Sequence, residues 1–488
     1  MIPFLSSMAH RFVSSVLAAV VAAVAVSCSD GRPAPTEADL SAFGSYVYEL
    51  DSAQIERSVW SSRMGVSSDA DSLLAVLRRE VPRAGLDTTV FFIPEIAADL
   101  DIVHQLAFDS VGVHINELLQ RLDDHLSQAY IRYTTGQRYG FVRPDRLFNN
   151  LDTKVEGGYA RLFDYEVKVP GYQEAERHLT QDDRIAYLLA SQPQSALYRS
   201  LQACLDTTTH VERRRTLAVN MERCRWQIEQ PVASGRRIIV NIPAQQLWAL
   251  GGDSVLDMRI CCGAFPTKTP LLHSAITHLQ VNPVWIIPQN IIKTEVAPHA
   301  GDSAYFARHH YDIIDCSSGD TLNPRSVTAS QLKSGRLRVS QRGGVGNSLG
   351  RIVFRFPNAF SVYLHDTSNR SAFQRERRTL SHGCVRVQKP FDLASFMMPE
   401  ADEWLLDRLR ISMDIPPKGT RGRDYLKEHA EDPLPHRLLV YRDITPRVPL
   451  FIIYYTVFPN PSTGILEFYP DLYNYDALIA RSTSVFCK

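Results

Sequence analysis

The chain contains no Cys-x-x-Cys pair and no His-Glu-x-x-His. The first absence removes zinc-ribbon and thioredoxin-like readings, and the second removes the common helical zinc-peptidase signature. Fifteen histidines keep a metal in view. However, His309 and His310 are adjacent, which is poor spacing for joint ligation. Neither a catalytic metal nor a cofactor is expected. An excess of one charge is missing too, because Lys+Arg and Asp+Glu number 53 each. With no basic excess, no nucleic-acid partner is expected. Beyond residue 26 no run is long and apolar enough to cross a bilayer. A chain of 488 residues, 44% hydrophobic, can bury a large core over about two to four domains.

The N-terminus differs in composition. Phe12 to Val26 is almost wholly apolar or small, and Arg11 precedes it. Such a run, with Met8 as an alternative start, suits a signal-peptide core better than a membrane span. Ala25-Val26-Ser27-Cys28 resembles a bacterial lipobox. On that reading residues 1–27 are a signal peptide, Cys28 is lipidated and residues 28–36 form a tether. The expected location is then the bacterial cell envelope, on its periplasmic side and held to a membrane. An ordinary cleaved signal peptide is the alternative. Of the other cysteines, Cys204, Cys224, Cys261, Cys262, Cys316 and Cys487 offer no evident pairing, and free, mostly buried thiols are expected. Cys261-Cys262 lies in a strand-like run, where neighbours face opposite sides, so at most one should face the core.

Residues 37–230 read as mainly helical. Ile115, Leu118, Leu119, Leu122, Leu126, Ala129 and Tyr133 recur at helical spacing, and Gly136 follows. From residue 235 to about 400 the pattern turns to β-branched and aromatic runs, among them Arg237 to Pro243, Val255 to Cys262 and Arg351 to Phe356. The fold class is therefore α+β. Residues 290–337 are poor in strand signals and read as an insertion covering a cleft. Residues 401–488 begin helical, end in strands and complete the second domain.

The densest chemistry is in Ser381-His382-Gly383-Cys384-Val385-Arg386, with Val362-Tyr363-Leu364-His365-Asp366-Thr367 upstream. A thiol needs a nearby imidazole to become a strong nucleophile. Cys384 is the candidate nucleophile and His365 its candidate base, with His382 as rival. Glycine permits a tight turn whose amides, those of Gly383 and Cys384, can hold an oxyanion. Arg386 suits a substrate carboxylate or a structural ion pair. Ser381 braces the turn or touches substrate. The Arg375 to Arg378 run is a solvated face or an attractor of anions.

These two segments resemble the L,D-transpeptidase catalytic domain of the YkuD type, which cross-links peptidoglycan. Ala129-Tyr130-Ile131-Arg132-Tyr133, Gly140 to Pro144 and Leu217 to Trp226 resemble, more loosely, the helical scaffold domain of the large members. The small peptidoglycan-binding module of many relatives is missing between Ser191 and Glu212. The resemblance implies a thioester on Cys384 formed from a tetrapeptide stem, with stem peptides as donor and acceptor and carbapenem-type inhibitors acylating the same sulfur. It implies that the Asp366 carbonyl orients His365, the Asp366 side chain being an alternative triad member. It places Tyr363 and Trp285 along the cleft, with a core role as the alternative. Hydrolysis by an L,D-carboxypeptidase, or a silent wall-binding protein, are the competing readings.

Overall fold

The computed structural model describes residues 44–48, 50, 58–62, 65–151, 154–155, 158–159, 161–168, 171–228, 235–252, 254–432 and 436–486. The expected signal peptide, Cys28 and the tether lie outside them. Among the described residues no helix is long and apolar enough to cross a membrane.

Apolar residues three and four apart make the N-terminal region helical. Helix α1 (Ser68–Arg83) buries Leu73, Leu74, Leu77 and Val81. It packs with α2 (Ile93–Gln105) and the 25-residue α3 (Ile115–Tyr139). In α3 the expected stripe is buried at Leu118, Leu122, Leu126, Ala129 and Tyr133, whereas Ile115 is exposed in the first turn. Helix α4 (Ala196–Thr207) starts at Ser195, whose hydroxyl caps Tyr198 N. Helix α5 (Val211–Arg225) follows.

Helix α5 ties the helical region to the C-terminal one. Leu217 and Met221 pack with Tyr198, Leu201, Leu205 and Val457. Asn220 bonds Thr456 through both ends of its amide, and Arg223 pairs with Asp476 at 2.6 Å. Glu222 and Arg225 are fully buried and 3.2 Å apart. The Glu222 carboxylate also accepts from Phe141 N, Val142 N and Trp226 Nε1. Removing it leaves a buried guanidinium without its carboxylate. Glu222→Ala should therefore cost about 3–5 kcal/mol in urea unfolding. A loss of no more than about 1 kcal/mol, typical of a surface pair, would contradict this account.

The second domain is built on β1 (Arg237–Asn241), β2 (Gln246–Gly251), β3 (Ser254–Gly263) and β4 (Leu271–Val281). An inserted body carries β5 (Trp285–Ile286), β6 (Tyr311–Asp315), β7 (Thr321–Leu322) and β8 (Leu337–Gln341). The main sheet resumes with β9 (Ile352–Arg355), β10 (Leu364–His365), β11 (Thr379–Ser381), β12 (Val385–Val387) and β13 (Tyr441–Ile453). Its order is β9-β10-β12-β3-β2-β1-β13-β4, and β4 pairs back to β9. The sheet thus closes on itself around Ile238, Val240, Met258, Ile260, Leu279, Phe354, Leu364 and Ile452. Strand β11 pairs with β3 from outside this ring.

Cys261 and Cys262 face opposite sides, as expected: Cys262 enters the barrel core, and Ala372 and Phe373 cover Cys261 on the outer face. The six described cysteines past Cys28 are free, and Cys316 is exposed rather than buried; Cys487 lies outside the described residues. The insertion is not strand-poor. Strands β5, β8, β6 and β7 form a sheet in that order, with a separate core of Ile287, Ile291, Phe306, Ile313, Leu332 and Val339. Its strands are too short to show alternation in sequence. The tail completes the second domain as expected, since β13 runs between β1 and β4 in the ring. It ends in a helix that the sequence pattern missed, α6 (Tyr475–Ser482), where Asp471 accepts from Tyr475 N and Asp476 N.

Candidate active site

A tight turn joins β11 to β12. Gly383 takes φ +114°, which only glycine adopts without strain. Ser381 Oγ donates to Cys384 O at 2.5 Å and accepts Gly383 N at 3.2 Å. Thr267 Oγ1 donates to Ser381 O, and Thr269 Oγ1 donates to Gly383 O at 2.8 Å. Tyr473, from the tail, donates to Gly263 O at 2.7 Å and accepts from Thr269 N. The turn is thus fixed by hydroxyls from three separate segments.

Ser381 is buried and its hydroxyl is used within this turn, so it braces the turn. Gly383 N, expected as an oxyanion donor, is engaged by the same hydroxyl. The Cys384 amide has no such internal partner.

Register brings the reactive side chains together. Strands β10 and β12 are parallel, with Leu364 beside Val385 and His365 beside Arg386. Tyr363 and Cys384 are each one step back, and Val385 N donates to Tyr363 O at 3.1 Å. Strand β9 lies antiparallel on the other side, with Val353 opposite His365 and Phe354 opposite Leu364. The same register sets Arg355 opposite Tyr363. Alternation therefore puts Arg355, Tyr363, His365 and Arg386 on one face, with Cys384 at its margin. The Arg355 guanidinium lies 4.5 Å over the Tyr363 ring, and the Tyr363 and His365 rings are 5.7 Å apart, edge to face.

Burial sets the charge state. It pushes the Cys384 thiol up to about 11, against the opposing pull of Tyr363 backbone and hydroxyl, Arg355 and Arg386. Burial, then Arg386, holds His365 down at about 3. The resting pair is a neutral thiol and a neutral imidazole. No hydrogen bond joins them, and His365 Nδ1 has no well-aligned partner; the nearby backbone of Asp366 and Leu349 only partly offsets the burial. The Tyr363 hydroxyl faces both the Cys384 sulfur and the Trp285 indole, which links the insertion to the thiol. An expected outcome follows for iodoacetamide. Alkylation of Cys384 should rise about tenfold per pH unit from roughly pH 7 to pH 10, since only thiolate reacts. A plateau already reached by about pH 8 would show a preformed thiolate instead.

The other expected residues separate clearly. The Asp366 carboxylate accepts from Arg351 N at 2.9 Å and pairs with Arg370 at 2.8 Å. Its side chain is thus committed to the loop, and the triad alternative is withdrawn. His382 is exposed and pairs with Glu295 of the insertion at 2.7 Å. Arg386 forms no ion pair with a described residue, and its Nε is buried without a partner. In the Arg375–Arg378 run, Arg378 is a buried strut whose guanidinium bonds the carbonyls of Ile260 and Gln245. In the loop between β8 and β9, Asn347 is fully buried and donates to the Pro283 and Arg342 carbonyls, which makes it architectural. Sequence reasoning missed the roles of Arg355 and Thr269, and Arg355 left a signal as one polar position of an alternating strand.

A thiol, an imidazole and two arginines without carboxylate partners on one barrel face have the parts for thiol-based acyl transfer. A family model of the YkuD L,D-transpeptidase catalytic domain matches residues 235–415, and a model of the Scaffold domain matches residues 52–205. The chain thus carries a region similar to the YkuD L,D-transpeptidase catalytic domain, preceded by one similar to the Scaffold domain. It is 31% identical over 247 residues to a Haemophilus influenzae protein named "Putative L,D-transpeptidase", covering 49% of each chain. The chain thus spans about half the length of the curated relative it matches. Among solved structures, an L,D-transpeptidase from Mycobacterium smegmatis aligns over 34% of this chain and 54% of that one. The identity there is 14% and the TM-score 0.20.

Proposed function

We propose that the protein is an L,D-transpeptidase acting on peptidoglycan stem peptides through a Cys384 thioester. The observation that carries this is the shared face of Cys384, Tyr363 and His365. Neutral His365 takes the thiol proton as sulfur attacks the carbonyl at the L-centre of diaminopimelate in a tetrapeptide. The Cys384 amide donates to the oxyanion, joined by Gly383 N once it leaves Ser381 Oγ. The imidazolium returns the proton to the departing nitrogen, D-Ala leaves and a thioester remains. An amine of a second stem then attacks the thioester, making the cross-link and freeing the thiol. Mass spectrometry of purified protein with tetrapeptide tests this. A dimer means transfer, a tripeptide means L,D-carboxypeptidase activity, and neither product, with no adduct, supports the silent wall-binding reading. Lipidation of Cys28 and a membrane-held periplasmic location belong to the same proposal. Cys28→Ser should release the protein from the membrane fraction; a wild type already soluble and without lipid mass rules the anchor out.

A further inference from the structure

Arg355 stands out among the cations of this face because its guanidinium has no acidic partner among the described residues. Its guanidinium is stacked on Tyr363 at 4.5 Å, half-buried, and makes no ion pair or hydrogen bond with a described residue. A cation–π contact leaves the in-plane N–H groups free. Those groups form a planar fork suited to a carboxylate. Arg386 is the other unpaired guanidinium, but register sets it beside His365, at the opposite end of the face. The two arginines therefore flank the sulfur from different sides.

The direction of the reaction separates them. The base must reach the departing nitrogen, so the leaving residue lies toward His365 and Arg386. The acyl residue, bonded to the sulfur, then extends toward Tyr363 and Arg355. We infer that Arg355 forms a subsite for an anionic group on the acyl-donor residue, namely the carboxylate that ends the diaminopimelate side chain. This rests on the reading given under Proposed function and adds to it a determinant of donor specificity. Lysine-type stems lack this carboxylate, and amidated diaminopimelate stems keep its shape without its charge. Both should be poorer donors.

The experiment measures binding in the Cys384→Ala background, so turnover is not required. Three tetrapeptides are titrated by calorimetry: diaminopimelate with its free side-chain carboxylate, the same peptide amidated there, and the lysine form. The free acid should bind about ten- to a hundredfold tighter than the amide, as expected when a charge-assisted hydrogen bond is lost. Arg355→Gln should erase that preference, and Arg355→Lys should restore part of it, with thermal melting to verify folding. Steady-state kinetics of Arg355→Gln should show the loss in KM more than in kcat. Equal binding of acid and amide to the parent protein overturns the inference. So does a preference that survives Arg355→Gln or disappears in Arg386→Gln. A uniform fall in kcat for all donors, with the iodoacetamide profile displaced to higher pH, would assign Arg355 to the sulfur instead. Failure to release D-Ala from any tetrapeptide, with acid preference intact, would sink the transpeptidase reading and leave the carboxylate subsite standing.

Discussion

Cys384→Ala should abolish covalent chemistry altogether. Deleting an acyl-transfer nucleophile costs on the order of a millionfold, so neither D-Ala release nor a carbapenem adduct should be detectable. Among the other described thiols, Cys204 sits partly buried in helix α4, in the helical region. Burial pushes Cys224 and Cys262 up to about 12, and Cys261 is raised for the same reason. Cys316 is the exposed thiol, but it belongs to the insertion, at the end of β6. Peptide mapping after carbapenem treatment should therefore find the adduct on Cys384 alone. Cys316→Ser should change nothing. An adduct persisting in folded Cys384→Ala would show that the nucleophile has been misassigned.

The two histidines should separate by a wide margin. His365→Ala should slow acylation by about two to four orders of magnitude, the usual worth of a positioned base. His365 is buried, uncharged at working pH and on the face that carries Tyr363 and Arg386. His382 is exposed and engaged by Glu295. Losing an exposed pair of that kind costs about 0–1 kcal/mol, so His382→Ala should slow acylation by less than about tenfold. The measurement is the rate of adduct formation from pH 5 to pH 9 for both variants, with circular dichroism as a folding check. A larger loss for His382→Ala would reverse the assignment.

The sequence made the site legible where chemistry is local. Ser381 to Arg386 is one turn, and its glycine, candidate nucleophile and brace can be read from six adjacent letters. The candidate base stood out because Tyr363 to Thr367 is a separate, similarly dense segment. What stayed hidden depends on register between distant strands. That Arg355 meets Tyr363, and that Arg386 flanks His365, follows only from the pairing of β9, β10 and β12. The role of the Asp366 side chain was hidden for a related reason. Its partners, Arg351 N and Arg370, are fixed by a loop whose path no periodicity announces. In the helical region the stripe of α3 could be read at once. The Glu222–Arg225 pair could not, because charged letters on a helix usually mean solvent, and here they mean a bond to the backbone at Phe141 and Val142.

Strand β13 pairs with β1 across some two hundred residues of chain, through Leu450 beside Ile238 and Ile453 beside Asn241. It also fills the gap between β1 and β4, and the same tail delivers Tyr473 to the carbonyl of Gly263. A piece cut at residue 415, where the family match stops, would be a barrel with a missing stave. Two raw edges would stand open, and such edges recruit other chains. Folding inherits the same order of events. Pairings of such long sequence separation form slowly, so the nucleophilic turn acquires its last support only after the final segment of the domain has arrived. During synthesis the chain therefore carries the Cys384 thiol in an unfinished setting, and completes that setting late.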